Sequence, residues 1–597
     1  MEAALGLVGA VGVVGQIFDG CIKAYRIFTT AANLGRDSER LACRVRIEEA
    51  RLQVWGREWG VIEGRLDVYL KSADWGPPDL SSLAEAILME LYTTIMSFSK
   101  LKERYGLGEA SPGSVDKEAY KKSEDPRNSV AARLKEGLTL RARWVVVDKE
   151  KFEVLLEDLQ YYNDRLEKLF PPERVVTLRR SWEHEILDAA PKVENLSLLE
   201  TASGQRYPQL NTLAKLKHLR INLDGQEPSK KILSTSELKI QKWRVNLDSE
   251  TPNADQSQKV SNLRGHPMPN RTQGVYQRPI DALKDGKVFE DVRVLVDFIP
   301  YEHYQEDLDS RLHLYQRIDN LARMLHSASN RHPDLHTLDC LGYFDDTAAN
   351  RYALVHLTPS EPHAAPAADS SLPVRHFPLS ALIDDNTRKT PDLDARFQLA
   401  RSLAIALWSF HSLDWLHKAF CPSNILFFLP QAGGSQPLHH NLNNPFVLGF
   451  ESSRPEHLSE MSAAPMPSSH MPDLYRHPDS LGVFRQKYQK AFDVYSLGLV
   501  LLEIGLWTSI RAYWKPKYSP TVFRQKIISG MVPALGAKTG SRYKNVVERC
   551  LRYGGSTQEV INPPVYDDKP EKSNPQSSAS PNQVMEWVVM SLERLSV

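Results

Sequence analysis

AANLGRDSERLACRVRIEEARLQVWGREWGV, residues 31–61, is the stretch whose reading decides the first third of the chain. Leu41, Val45, Leu52, Trp55 and Trp59 fall within about 80° of one another on a helical wheel, which predicts a helix with a single buried stripe. The break at GRD precedes it, and Asp37 or Ser38 can cap its start. Working outward, WGPPD stops this pattern, and Leu80, Leu83, Ile87, Leu91, Ile95, Phe98 and Leu101 predict a second long amphipathic helix. The polar run GLGEASPGSVDKEAYKKSEDPRNS reads as a loop. Phe152, Leu155, Leu159, Tyr162, Leu166 and Leu169 then mark another helix that ends at Pro171. Residues 1–220 are therefore expected to form an all-α bundle. No H-E-x-x-H, paired histidine or nucleotide loop occurs there.

Upstream lies LGLVGAVGVVGQIFDG, residues 5–20, with Gly6, Gly9, Gly12 and Gly15 at three-residue spacing. From Ala3 to Phe18 there is no charge, and as a helix this run rises about 24 Å, short of a hydrocarbon core of about 30 Å. The residues leave two readings open: a helix buried in the bundle, or a segment inserted into lipid on demand. Leu5, Gly6, Gly9, Val11, Gly12, Val14, Gly15 and Phe18 carry the second reading. Small residues permit close helix approach, although this spacing is not G-x-x-x-G.

These runs together, with FDGCIKAYRIF between them, resemble the fungal HeLo (prion-inhibition and propagation) domain over about residues 1–220. The most specific match is GRDSER followed by ARLQVWG. The resemblance implies a domain whose apolar segment leaves the fold, enters membrane lipids and kills the cell. It further implies self-association and an upstream signalling or prion-type activating protein.

Composition narrows the classes. Lys plus Arg equals Asp plus Glu at 74 each over 597 residues, so no electrostatic footprint for nucleic acid exists at whole-chain level. Five scattered cysteines without C-x-x-C argue against zinc or a disulfide framework. The first charge is Glu2 and no basic residue precedes Lys23, unlike a secretory leader. The expected location is cytoplasmic, moving to the plasma membrane on activation.

Residues 221–275 lose periodicity, as in DSETPNADQSQKVSNLRGHPMPNRTQG, and read as a linker that holds a short strand around LKIQKWRVNL. Beyond it, VRVLVDFI and RYALVHL read as strands and ARFQLARSLAIALWSFHSL as a helix, which predicts an α+β domain.

HSLDWLHKAFCPSNILFF, at the end of that helix, resembles the protein-kinase catalytic loop H-R-D-x-x-x-x-N. His417 and Asn424 match the His and Asn, whereas Lys418 stands at Arg and Ala419 at the catalytic Asp. Gly449, Phe450 and Glu451 occupy the D-F-G positions. LYRHPDSLG and FDVYSLGLVLLEIGLW, with Asp493 and Trp507, fit the following segment and buried helix. The resemblance covers 276–597, with an N-lobe of about 276–357 and a C-lobe of about 376–597. It implies a two-lobed protein-kinase-like fold without a Gly-rich loop, in which Ile299 takes the place of the strand lysine. The helix YQRIDNLARML supplies no assigned glutamate partner.

Phosphoryl transfer needs metal-neutralised phosphates, a lysine and a carboxylate that orients the hydroxyl. With Ala419, Gly449 and Ile299 at those places, the expectation is a pseudokinase with no cofactor and no metal. Glu451 reads as an ordinary carboxylate, Asn424 as a loop-fixing amide, and His417 as a core histidine anchoring backbone. Cys421 reads as a structural thiol, and His439 with His440 as part of a loop insertion. The two resemblances together imply an effector of fungal programmed cell death or heterokaryon incompatibility, with the kinase-like half regulating the bundle. The alternative is a non-catalytic signalling scaffold whose bundle only mediates oligomerisation.

Overall fold

The computed structural model describes residues 13–29, 36–61, 80–109, 144–146, 148–224, 236–248, 271–280, 288–301, 308–326, 332–359, 375–385, 387, 389–429, 442–450, 453–455, 474–481, 485–554 and 580–595. They divide into two compact units, Met1–His218 and Leu219–Val597. Leu5, Gly6, Gly9, Val11, Gly12, Glu451, His439 and His440 lie outside the described residues.

In the first unit, helices α1 (Val13–Thr29) and α2 (Arg36–Glu58) are followed by α3 (Leu80–Met96) and the short α4 (Phe98–Glu103). Then come α5 (Lys149–Glu167), α6 (Pro172–Asp188), α7 (Val193–Ser203) and α8 (Pro208–Asp224), the last containing the division between the units. Helix α2 is the hub and packs against α1, α5, α6 and α7. Its predicted stripe is buried throughout, as is that of α5. The second predicted helix is broken: Ser97 is extended, and Leu83, expected inside, is exposed. The unit is not purely helical either. β1 (Leu107–Glu109), at the start of the stretch read as a loop, pairs antiparallel with β2 (Trp144–Val146), which lies beyond it.

Helix α1 explains how the end of the apolar opening is held. Gln16, Asp19, Lys23 and Arg26 form its exposed side, whereas Gly15, Phe18, Cys21, Tyr25 and Phe28 are buried. Phe18 lies 6.4 Å from the Trp55 ring, and a Cβ on Gly56 would come within 2.9 Å of Phe18 Cε1. Glycine at 56 is what lets the ring settle on α2. Among the described residues no helix is long and apolar enough to cross a membrane.

A buried ionic cluster also ties this bundle. The Arg51 guanidinium donates to Glu48 at 2.9 Å, Glu167 at 2.8 Å, Asp164 at 2.7 Å and the Tyr207 hydroxyl at 3.1 Å. Asn163 Nδ2 donates to Glu48 Oε2 at 2.9 Å. Pairing of this kind is what makes buried charge tolerable.

The second unit mixes sheet and helix. Strands β3 (Val245–Leu247), β4 (Arg271–Ile280), β5 (Val288–Pro300), β6 (Cys340–Asp346) and β7 (Arg351–Leu357) form an antiparallel sheet in the order β3-β4-β5-β7-β6, with α9 (Leu308–Leu325) against β6. Next follow β8 (Arg375–Pro378), α10 (Leu379–Asp384), α11 (Leu393–Ser412), β9 (Trp415–Leu416), β10 (Ile425–Leu429), β11 (Phe446–Val447) and β12 (Arg454–Pro455). The chain ends in α12 (Lys490–Leu506), α13 (Pro520–Lys526), α14 (Val532–Arg552) and α15 (Pro581–Glu593).

The linker reading of 221–275 needs correction. Ile240, Val245 and Leu247 sit in the same apolar core as Val294, Val296 and Phe344, and Ile240 N–H donates to the Tyr343 carbonyl at 2.8 Å. Val245–Leu247 and residues 271–275 therefore belong to the sheet, and Leu238–Ile240 is bonded to Tyr343 of β6. Few apolar residues were enough, because alternate ones face a core built by β5 and β7.

Candidate functional site

The site is assembled where α11 ends. After the helix, Asp414 and Lys418 take left-handed backbone (φ 54° and 67°), and β9 pairs with β12. The turn Pro422–Asn424 then leads into β10, which lies between β11 and β8. This path brings His417, Ala419 and Asn424 beside Gly449 and Phe450.

Asp493, on the first turn of α12, holds the loop from below. It is 0% exposed, and its carboxylate accepts the backbone N–H groups of His417 and Lys418 at 2.9 Å each and the Tyr488 hydroxyl at 2.8 Å. Burial alone would raise its pKa, but the hydrogen bonds from His411 and Tyr488 outweigh it and hold the carboxyl below its ordinary value. A buried acid with two backbone donors and a phenol is a structural clamp that stays charged.

His417 is buried against Phe450 at 4.8 Å and Phe420 at 5.5 Å between ring centroids. Burial pushes its pKa down to about 4, so the ring is neutral at physiological pH. Ala419 N–H donates to His417 Nδ1 at 3.3 Å, which assigns the ring proton to Nε2. Phe450 completes an aromatic cluster with Phe410 at 5.4 Å and Trp415 at 5.3 Å.

Both ends of the Asn424 amide are engaged. Its Nδ2 donates to the Ala419 carbonyl at 2.8 Å and its Oδ1 accepts from Arg271 Nη2 at 2.8 Å. Arg271, the first residue of β4, also donates to Asp297 Oδ1 at 3.1 Å and to the Ser423 carbonyl at 3.1 Å. The Arg271 and Asp297 side chains are 3% and 8% exposed. Sequence reasoning missed this pair, because a lone Arg at the end of a polar stretch and an Asp within VRVLVDFI carry no spacing signal. Ile299 is buried two residues beyond Asp297 on β5. It faces Tyr352 across the ladder, and the group that reaches Asn424 is Arg271. The buried acid of α9 is Asp319, which accepts from Tyr343 at 3.0 Å and Arg323 at 2.7 Å.

Gly449 closes the arrangement. Its φ is +85°, and a Cβ there would lie 2.8 Å from Asn424 Oδ1 and closer still to Cγ and Nδ2. The Asn424 amide is thus bonded to Ala419 on one side and to the Arg271 guanidinium on the other. Among the described residues no group of three or more His, Cys, Asp or Glu is arranged to hold a metal. Cys421 is partly buried and forms no disulfide among the described residues.

Residues 6–199 match the family model HeLo, described as prion-inhibition and propagation, so the helical unit carries a HeLo domain. Its curated relatives are heterokaryon incompatibility proteins. One is heterokaryon incompatibility protein S of Podospora anserina (strain S), 26% identical over 208 residues, covering 33% of this chain and 68% of the relative. Another is heterokaryon incompatibility protein s of Podospora anserina, 27% identical over 218 residues, covering 34% of this chain and 71% of the relative. Residues 301–589 match a domain of unknown function (DUF7580).

Proposed function

We propose that this chain is an effector of fungal cell death or incompatibility, in which the HeLo domain delivers its N-terminal segment into membrane lipids and a catalytically inert, protein-kinase-like second unit regulates it. The homology of the HeLo domain to heterokaryon incompatibility proteins supports the first half. The segment enters only by leaving its seat on α2, since Phe18 is buried there. The chain works at the plasma membrane after release from the cytoplasm, and self-association follows an upstream activating signal.

One observation carries the regulatory half: the clamp from Asp493 to the backbone of His417 and Lys418 presents a loop with the H-R-D-x-x-x-x-N framework, yet Arg271 and Asn424 occupy the ground that metal and phosphates need. Such a unit keeps its shape and performs no phosphotransfer. Thermal denaturation of the full chain with and without Mg-ATP tests this. No shift in Tm is expected, whereas a rise of several degrees would indicate a tight site and reopen catalysis.

A further inference from the structure

A concave site that the Arg271 cluster does not involve lies in the last third of the chain. The loop after α12, the helix α13 and the start of α14 line a half-open pocket of about 550 Å³. Its floor is apolar, made by Leu506, Phe523, Ile527 and Met531, of which the last three are well buried. Its rim carries Lys515, Lys526 and Lys538, all exposed and without an ion-pair partner among the described residues. No acidic side chain is among its lining residues. The wall between α13 and α14 is a π-type turn, Ile527–Met531, a local irregularity that recurs at functional sites. Within it, Gly530 faces open space: a Cβ there would meet nothing within 4 Å.

We propose that this cavity binds a single-chain anionic lipid, one aliphatic chain ending in a phosphate or carboxylate. Its volume falls in the range of small-molecule sites, about 300–1,000 Å³. Three cations around an apolar floor complement a ligand with one concentrated negative end and a hydrocarbon tail. An acidic peptide fits less well. The lining elements are α12, α13, the π turn and α14 with the connection between them, and no strand edge is present to pair with a peptide backbone. Recognition must come from side chains alone, which suits a ligand whose polar part is a single headgroup.

The test uses the full chain and oleoyl lysophosphatidate below its micelle-forming concentration, read by isothermal titration. Oleoyl lysophosphatidylcholine, inorganic phosphate and a polyglutamate peptide serve as comparisons. The expected result is saturable binding of lysophosphatidate, little binding of the other three, and affinity about tenfold lower in the double variant Lys526→Glu, Lys538→Glu. Gly530→Leu, which fills the cavity and leaves every lysine in place, should weaken binding as well, with circular dichroism confirming the fold of both variants. Equal binding of the neutral lipid, competition by phosphate or peptide, wild-type affinity in the lysine variant, or no binding by the wild type would each overturn the proposal.

Discussion

The carboxamide of Asn424 fills the volume that a side chain on Gly449 would need, and Arg271 holds that carboxamide in place. A carboxylate at 449, which the proposed kinase-like reading would call for, therefore has no room beside Asn424. The backbone at Gly449 is left-handed, where a residue with Cβ costs about 1–2 kcal/mol, and overpacking adds about 1–3 kcal/mol. Gly449→Asp, alone or with Ala419→Asp, should destabilise the chain by a few kcal/mol and restore no phosphotransfer. Urea denaturation and a phosphorylation assay check both halves, and a stable, active variant would contradict the account.

Arg271 and Asp297 form a buried pair, so removing one partner strands the other. Arg271→Met should cost about 3–5 kcal/mol, and replacing both with apolar residues should cost much less. A double-mutant cycle in urea measures the difference. Additive losses would mean that the pair is not coupled.

Acid should unfold the second unit. Burial pushes His356, His376, His417 and His477 each from 6.5 down to about 4. Unfolded histidines take up protons first, so the stability present above pH 6.5 is lost as pH falls toward 4, at about 1.4 kcal/mol per pH unit for each imidazole. Glu503 opposes this. Burial raises it from 4.5 to about 7, so the folded chain keeps a proton there that the unfolded chain releases, and its contribution grows as pH falls from 7 to 4.5. Four imidazoles against one carboxyl give a net loss, visible as a falling urea midpoint. A midpoint that rises on acidification would assign the wrong protonation to these rings.

Gly56 is the seat of Phe18. Gly56→Val should expel the ring, cost about 1–3 kcal/mol and ease departure of α1 from the bundle. If that departure activates the protein, the variant should release dye from anionic vesicles faster than wild type while melting earlier. Earlier melting without faster release would separate stability from activation.

The helices were legible because their periodicity is unbroken: all five predicted stripe residues of α2 are buried, and α11 and α12 fall where their apolar runs stand. The break at Ser97 and exposure of Leu83 were not, since 3–4 spacing of apolar residues cannot show where a helix bends away from its neighbours. Strand β3 falls at the end of the short strand expected around LKIQKWRVNL, but with only Val245 and Leu247 to mark it against a polar background its place in the five-stranded sheet was not legible. At the candidate site, His417, Ala419, Asn424, Gly449 and Phe450 come together. The ionic parts Arg271–Asp297 here and Arg51–Glu167 in the bundle join residues more than twenty positions apart, and no local pattern records such pairings; Glu48 and Arg51, three apart on α2, do stand at helical spacing.

The central claim is that the apolar opening enters the membrane. Val11→Asp places a charge in the middle of that segment, which at a bilayer centre costs about 2.5–3.5 kcal/mol. The measurement is dye release from anionic vesicles by the full chain, wild type against Val11→Asp, with circular dichroism showing equal folding. Release by wild type and its loss in the variant is the predicted result; equal release by both would contradict membrane insertion and favour the scaffold.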